Sequence, residues 1–159
     1  MVSNPLIDLS TIDLNKEIVS KEEILKLNPQ RYEFEQLDKV VYLDLDNYLA
    51  VGTKKQTPDE FWTRGHVPSR PLMPGVLMIE MAAQLGSILF HKKLNTEGKA
   101  FFGFGGVNNV KFRGSVEPGS EFVMIVKAAK FRPRIATFEA QGFVDNKMVF
   151  EGEVTGLIF

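Results

Sequence analysis

Residues 65 to 91 read GHVPSRPLMPGVLMIEMAAQLGSILFH and join a proline-rich stretch to the longest apolar run of the chain. From Val76 to Phe90 the only polar side chains are Glu80, Gln84 and Ser87, which are spaced by four and three residues. Positions three and four apart share one face of a helix. Because the remaining positions are apolar, the pattern predicts a buried helix of about 15 residues with one narrow polar stripe.

Strand-like segments flank this helix on both sides. Runs of β-branched and aromatic residues, bounded by turn residues, predict two strands before the helix and four after it. They lie at 37–45, 48–54, 101–112, 121–131, 134–144 and 148–159. This order indicates an α+β protein in which an antiparallel β-sheet wraps around one long central helix. A short helix is expected after Ser20, and a basic, polar connection is expected over 92–99.

The first residues differ from the rest of the chain. Residues 1 to about 20 are polar and lack a clear period, so we expect an arm that becomes ordered only by packing on a partner. The predicted organisation is an N-terminal arm over 1–22 and a single domain over 23–159. A single sheet around one helix leaves one face and one edge to cover, so a dimer is expected.

The composition excludes several classes of function. With 19 basic and 20 acidic residues the net charge is -1, which disfavours nucleic acid as a partner. The chain has no cysteine and only two histidines, so no metal site is expected. Its start lacks a signal-peptide pattern, and the apolar helix is shorter than the roughly 20 residues that span a bilayer. We therefore predict a cytoplasmic protein without membrane insertion.

Two residues of the 65–91 stretch are candidates for acid–base chemistry. His66 lies in a loop, directly after Gly65 and two residues before Pro68, and is either catalytic or structural. Glu80 interrupts the apolar run, and a buried glutamate needs a partner, a function or a shifted pKa. It either acts as a carboxyl group that burial keeps protonated, or pairs with Arg64 or Arg70, or faces a wet interface.

The start of the predicted helix is a third feature of interest. Pro74 suits a first-turn position, and no Ser, Thr, Asp or Asn is available as an N-cap. The first free N–H groups, at Gly75 and Val76, can therefore stabilise a developing oxyanion, unless water or a neighbouring loop satisfies them. A base, a carboxyl group and an open helix start together indicate proton abstraction next to a carbonyl group. These residues alone do not identify the substrate.

The stretch over 65–84, GHVPSRPLMPGVLMIEMAAQ, resembles a known signature. It is similar to GHFPxxPxMPGVLxxEAxAQ of the 3-hydroxyacyl-acyl-carrier-protein dehydratases of the FabZ type, which have the hot-dog fold. Weaker matches on both sides extend the resemblance over residues 23 to 159. His66 and Glu80 fall on the family's catalytic histidine and glutamate. Ser69 stands where the family usually has glycine, and Gln30 replaces a histidine of the family's opening segment.

The resemblance implies an active site between two subunits, with the histidine from one and the glutamate from the other. It implies that His66 takes the C2 proton of a (3R)-hydroxyacyl thioester and that Glu80 assists departure of the 3-hydroxyl group. The N–H of Gly75, with Val76 beside it, would hold the thioester carbonyl. Supporting residues would be Pro74 and Gln84, and the acyl tunnel would be lined by Phe101, Phe102 and Met73.

No cofactor is implied, because the substrate arrives on the phosphopantetheine of an acyl carrier protein. That partner is acidic, which would give a use to the basic residues late in the chain, otherwise read as solvated. They are Lys92, Lys93, Lys99, Lys111, Arg113, Arg132 and Arg134. The implied assembly is a homodimer, and a trimer of dimers is left open. Two other functions also stay open: a hot-dog thioesterase in which Glu80 activates water, and a non-catalytic acyl-binding or assembly subunit.

Overall fold

One long helix and a six-stranded antiparallel sheet make up the protein, whose computed structural model describes residues 1–97 and 99–159. The strands are β1 (Lys39–Asp44), β2 (Leu49–Lys55), β3 (Phe102–Phe112), β4 (Glu121–Arg132), β5 (Ile135–Val144) and β6 (Lys147–Ile158). The helices are α1 (Lys21–Leu27) and α2 (Gly75–Leu94), with short 3-10 turns at Leu9–Thr11 and Tyr32–Phe34. The strand order is β1-β2-β4-β5-β6-β3, so β1 and β3 are the edges. The predicted α+β architecture is confirmed.

Helix α2 is longer than its sequence pattern predicted, with 20 residues. Its last turn includes Lys92, which was expected to begin a loop connection. A cation there interacts favourably with the C-terminal end of the helix dipole, and Lys92 also pairs with Glu23 of α1. The helix stops at Asn95, which takes a left-handed conformation and donates its N–H to the carbonyl of His91. No helix in the described part of the chain has the length and apolarity needed to cross a membrane.

The inner face of the sheet packs closely against α2 at Gly86. A Cβ atom at this position would lie 2.8 Å from Cδ2 of Phe138 on β5, so the ring occupies the space that a side chain would need. Neighbouring rings fill the rest of this region, and Phe90 stacks on Phe102 with 4.1 Å between their centroids. Small residues on the helix therefore admit large aromatic residues from the sheet.

The second histidine of the chain, His91, has a structural position at the end of α2. It is 1% exposed, and its Nδ1 lies 2.9 Å from the hydroxyl oxygen of Thr96. Burial lowers the pKa of His91, because removing the ring from water disfavours its charged form. His91 is therefore held neutral in the core, and His66 is the histidine that is open to solvent.

The N-terminal arm covers the outer face of the sheet. A cluster of buried apolar side chains lies on this face: Val41, Leu49, Val51, Val123, Ile125, Phe143 and Met148. The arm packs five apolar side chains against it: Leu6, Ile7, Leu9, Ile12 and Leu14. The expectation that the arm is ordered only by a partner was therefore wrong, because its partner is the chain's own sheet.

The side chain of Gln141 on β5 fastens the arm. Its Oε1 accepts a hydrogen bond from the N–H of Leu6 at 2.8 Å, and its Nε2 donates to the carbonyl of Asn4 at 2.9 Å. Gln141 is only 4% exposed, so both bonds form away from bulk water. The side-chain amide of Gln141 thus accepts from and donates to the backbone of the arm, as one residue of a neighbouring β-strand would.

We expect the substitution Gln141→Ala to loosen the arm. It leaves two partly buried backbone groups without partners, which lowers the free energy of unfolding by about 1–3 kcal/mol. Urea denaturation measures this loss, and limited proteolysis detects earlier cleavage within residues 1–20. The matched control is Glu139→Ala, on the same strand and face but exposed. Equal stability of the two variants would contradict the anchoring role.

Candidate active site

The loop that carries His66 spans residues 56–74 and is fixed at both ends. At its start, the N–H of Gln56 donates to the carbonyl of Ser120 at 2.8 Å. At its end, the N–H of Met73 donates to the carbonyl of Val116 at 2.9 Å. Both acceptors belong to the connection between β3 and β4. The loop is therefore held against the sheet although most of its middle is exposed.

Two hydrogen bonds orient His66 within this loop. Its backbone N–H donates to the carbonyl of Trp62 at 2.8 Å, and Trp62 is itself buried. Its ring Nδ1 lies 2.7 Å from the carbonyl oxygen of Leu72. A carbonyl oxygen only accepts, so Nδ1 carries the proton in this contact and Nε2 has the free lone pair. His66 is exposed, with Nε2 available as a base.

The residue after His66 has an unusual backbone conformation. Val67 has φ of 54°, in the left-handed region that a β-branched residue rarely adopts. Such strain persists where the surrounding contacts determine the geometry, and it often marks functional sites. By contrast, Ser69 is not among the positive-φ residues, so its replacement of the family's usual glycine creates no backbone conflict.

The start of α2 is open, as its sequence suggested. Pro74 occupies the N-cap position without a side-chain cap, and its carbonyl accepts the N–H of Leu77 at 2.9 Å. Among the described residues, the N–H groups of Gly75 and Val76 have no hydrogen-bond partner. The ring of Phe112 covers Gly75, where a Cβ atom would lie 2.7 Å from Cε1 of the ring. The Phe112 ring therefore lies so close to the backbone of Gly75 that it occupies the space a side chain would need.

The carboxylate of Glu80 is oriented by Gln84, one helical turn further along α2. Nε2 of Gln84 donates to Oε1 of Glu80 at 2.8 Å and to the carbonyl of Phe34 at 2.6 Å. Oε1 of Gln84 accepts the N–H of Gln36 at 3.0 Å. Gln84 is 3% exposed and its three contacts fit only one orientation of the amide. Glu80 is thereby held while its Oε2 has no partner among the described residues.

Two expectations about Glu80 need correction. The residue is half-buried, not fully buried as the apolar pattern of the helix indicated. The alternative of an ion pair with Arg70 is also wrong, because Arg70 pairs with Glu117 at 2.8 Å. Within residues 1–97 and 99–159, Glu80 has no ion pair with Arg64 or with any other cation. The reason for the partial exposure is that Glu80 borders a cavity.

This cavity has a volume of about 130 Å³ and lies between α2 and the strands β3, β5 and β6. Residues on its wall include Gln30, Glu80, Ser87, Phe101, Phe102 and Thr155. Phe101 and Phe102, which were predicted to line an acyl tunnel, are part of this wall. Met73 does not line this cavity; it is buried at the end of the His66 loop, where its N–H donates to the carbonyl of Val116.

One chain does not bring the two candidate acid–base residues together in this cavity. Glu80 lines it, but His66 does not, nor does Gly75 or Val76. The family resemblance implied this separation, because it placed the histidine and the glutamate of one site in different subunits. The sequence noted Gln30 only as a departure from a motif and Ser87 only as part of the polar stripe of α2. No signal short of the tertiary structure assigns Gln30 to the same cavity as Glu80.

A metal centre has no support in this region. Across the part of the chain that the structure describes, no group of three or more His, Asp or Glu side chains is arranged to hold a metal ion. The site instead offers an imidazole with one ring nitrogen free, an oriented carboxyl group and free backbone donors, which together can serve acid–base chemistry.

An antiparallel sheet wrapped around one long helix is the defining feature of hot-dog proteins, and this chain has that arrangement. A dehydratase heterocomplex from Xenorhabdus doucetiae superimposes with a TM-score of 0.72, at 16% identity, over 86% of this chain and 90% of that chain. A mutant thioesterase from Pseudomonas aeruginosa superimposes with a TM-score of 0.59, at 15% identity, over 76% of this chain and 79% of that chain. At these identities the likeness establishes the fold alone, and it confirms the predicted hot-dog architecture.

Sequence similarity identifies the family. The model of the FabA-like domain matches residues 28–153, and the chain belongs to this family. Relatives include the 3-hydroxyacyl-[acyl-carrier-protein] dehydratase FabZ of Clostridium botulinum, which is 38% identical over 136 residues. That match covers 86% of this chain and 93% of the relative. The predicted membership is confirmed.

We expect Gln84→Leu to damage both stability and activity. The substitution removes three hydrogen bonds and leaves the carbonyl of Phe34 and the N–H of Gln36 without this partner, so the free energy of unfolding falls by about 2–4 kcal/mol. Equilibrium urea unfolding measures this change. Glu80→Gln is the matched control, since its amide oxygen still accepts from Gln84 and stability is retained. A loss below about 0.5 kcal/mol in Gln84→Leu would show that these contacts are not structural.

Proposed function

We propose that this protein dehydrates a (3R)-3-hydroxyacyl group on acyl carrier protein to the trans-2-enoyl form. The observation that carries the proposal is the pair of oriented groups: His66 with Nε2 free, and Glu80 held by Gln84 at the cavity. The named activity of the FabZ relatives, at 38% identity over most of both chains, supports the same reaction.

The proposed reaction needs Nε2 of His66 unprotonated and the carboxyl group of Glu80 protonated when the substrate reacts. Nε2 of His66 takes the proton from C2, and the electron pair of that C–H bond forms the C2=C3 double bond. The C3–O bond breaks as Glu80 donates its proton to the oxygen, which leaves as water. The free N–H groups at Gly75 and Val76 stabilise negative charge on the thioester oxygen. Every step uses groups of the chain itself, and no cofactor is required.

A second copy of the chain would complete the site. In one copy, His66 lies outside the cavity that Glu80 lines. Strand β3 is an edge of the sheet and bears exposed Phe104 and Val107 beside its unpaired backbone groups. Such an edge is a template for pairing with another strand. We therefore propose a homodimer formed through β3, in which His66 of one chain reaches the cavity of the other.

The basic residues late in the chain do not act as one patch for a carrier protein. Lys92 pairs with glutamates, Lys93 lies 4.4 Å from the centre of the Tyr48 ring, and Arg113 pairs with Glu151 at 2.9 Å. The partners of these residues neutralise or screen their charge. They are therefore poor candidates for attracting an acidic protein.

Arg132 and Arg134 are better candidates for contact with the carrier. Both are exposed at the turn between β4 and β5. The carbonyl of Arg134 accepts the N–H of Ile158 at 2.9 Å, and the next residue, Phe159, stacks near Phe101 of the cavity wall with 5.9 Å between ring centroids. These two arginines therefore form an exposed pair of cations near Phe101 of the cavity wall.

Removal of either acid–base group should abolish dehydration. We expect His66→Ala and Glu80→Gln each to lower kcat by about 10²–10⁴-fold, the usual contribution of a general acid or base. The assay follows the absorbance of the conjugated enoyl product from a 3-hydroxyacyl thioester. Asp59→Asn, exposed in the same loop, is the control and should keep wild-type activity. Enoyl formation in both variants would overturn the proposal.

The same assay separates the two other functions. Release of free thiol without enoyl product would indicate a thioesterase that uses Glu80 to activate water. Binding of the acyl thioester without any reaction would indicate an acyl-binding or assembly subunit. Either result with the wild-type protein would replace the dehydratase proposal.

Mixing the two inactive variants tests the shared site. If each site takes His66 from one chain and Glu80 from the other, half of the dimers in an equal mixture are mixed and each has one intact site. Activity should then recover to about a quarter of the wild-type value per chain. The control replaces one partner with the double variant His66→Ala/Glu80→Gln, which should give no recovery. No recovery in verified mixed dimers would show that the site does not span two chains.

A further inference from the structure

The cavity wall contains a polar group that the proposed reaction does not use. Ser87 is 6% exposed and lines the cavity, and its hydroxyl has no hydrogen-bond partner in the described part of the chain. It lies on the same face of α2 as Glu80, seven residues further along, which places it about 10 Å deeper along the helix axis. Its hydroxyl is therefore free to form a hydrogen bond with a molecule bound in the cavity.

Gln30 contributes a second unpartnered group to the same cavity. Its Oε1 is buried and accepts no hydrogen bond from the described residues. The position of Gln30 is well fixed, because the guanidinium of Arg31 donates to the carbonyls of Asn28 and Gln30, both at 2.8 Å. Oε1 therefore stays without a partner in a segment that is otherwise held in place.

The loop that includes Gln30 also lies directly on α2. Nδ2 of Asn28 donates to the carbonyl of Gln84 at 3.0 Å, and Gln36 donates to the Gln84 side chain. Gln84 stands between Glu80 and Ser87 on the helix face. The segment that includes Gln30 is thus held against the middle of this helix face, not against the start of α2.

The contrast with the neighbouring polar residues makes these two groups informative. Gln84 satisfies its amide completely, and the hydroxyl of Thr155 on the cavity wall is 2.8 Å from that of Thr137. The remaining wall is apolar and includes Phe102, Phe138 and Val154. An unsubstituted acyl chain would cover both Ser87 and Gln30 without pairing with either, and leaving buried polar groups unpaired is unfavourable.

We propose that the inner cavity binds an acyl chain that carries a hydroxyl group beyond C3, with Ser87 and Gln30 as its hydrogen-bond partners. This inference rests on the proposed function and specifies its substrate class. A hydroxyl group donates to Oε1 of Gln30 and accepts from the hydroxyl of Ser87. The match does not depend on the orientation of the Gln30 amide, because a hydroxyl group also accepts from Nε2.

The test compares 3-hydroxyacyl thioesters of equal length, one unsubstituted and the others with one further hydroxyl group moved stepwise along the chain. We expect wild-type kcat/KM to peak at one hydroxyl position, about tenfold above the unsubstituted chain, the effect of one net hydrogen bond. Ser87→Ala and Gln30→Met should each reduce this preference toward unity. The quantity compared is the ratio of kcat/KM between the hydroxylated and the unsubstituted chain within each variant, so that any effect common to both substrates cancels.

Thr155→Val is the matched control, because its hydroxyl lines the cavity but is already paired with Thr137. It should keep the wild-type preference. A flat wild-type profile, or a preference that survives both Ser87→Ala and Gln30→Met, would overturn the proposed subsite and indicate that bound water satisfies these groups. If wild type dehydrates none of the thioesters, the dehydratase proposal fails separately. Calorimetric binding of the same series to wild type and Ser87→Ala then decides the subsite alone.

Discussion

The buried amide of Gln84 is the interaction on which the site depends. A carboxamide that is almost entirely removed from water must have its donors and acceptor paired, or the fold loses stability. Gln84 meets this requirement by bonding to the backbone of the 28–36 segment and to Glu80 at the same time. One side chain therefore fixes the loop on the helix and the carboxylate at the cavity. The position of Gln30 on the cavity wall follows from the same contacts.

The sheet poses a second constraint, because it has two faces and two edges. Its inner face is covered by α2 and its outer face by the N-terminal arm, which Gln141 fastens. With both faces covered, the exposed edge strand β3 is the part that remains for association with another copy. The separation of His66 from the cavity of its own chain is consistent with a site that such an association completes.

Much of the fold could be predicted because its signals are local. The runs of β-branched and aromatic residues in β4 and β5 and the 3.6-residue period of α2 each depend on neighbours a few positions apart, and the strand bounds agree within two residues. The arm was misjudged because its apolar residues, such as Leu6, Leu9 and Leu14, follow neither period. The end of α2 was placed too early because Lys92 looks like a loop residue until its contact with Glu23 is known.

The sequence by itself determined which residues are available for chemistry: a histidine before an uncapped helix, and a glutamate on the polar stripe of that helix. Only the tertiary structure decided how they are placed. It showed that Glu80 is half-buried beside a cavity, that His66 lies outside that cavity, and that Met73 belongs to the core beneath the loop. The reason is that side-chain identity and periodicity are properties of adjacent residues. The partners of Glu80 and Gln84 and the place of Gln30 depend on packing between segments up to 56 residues apart.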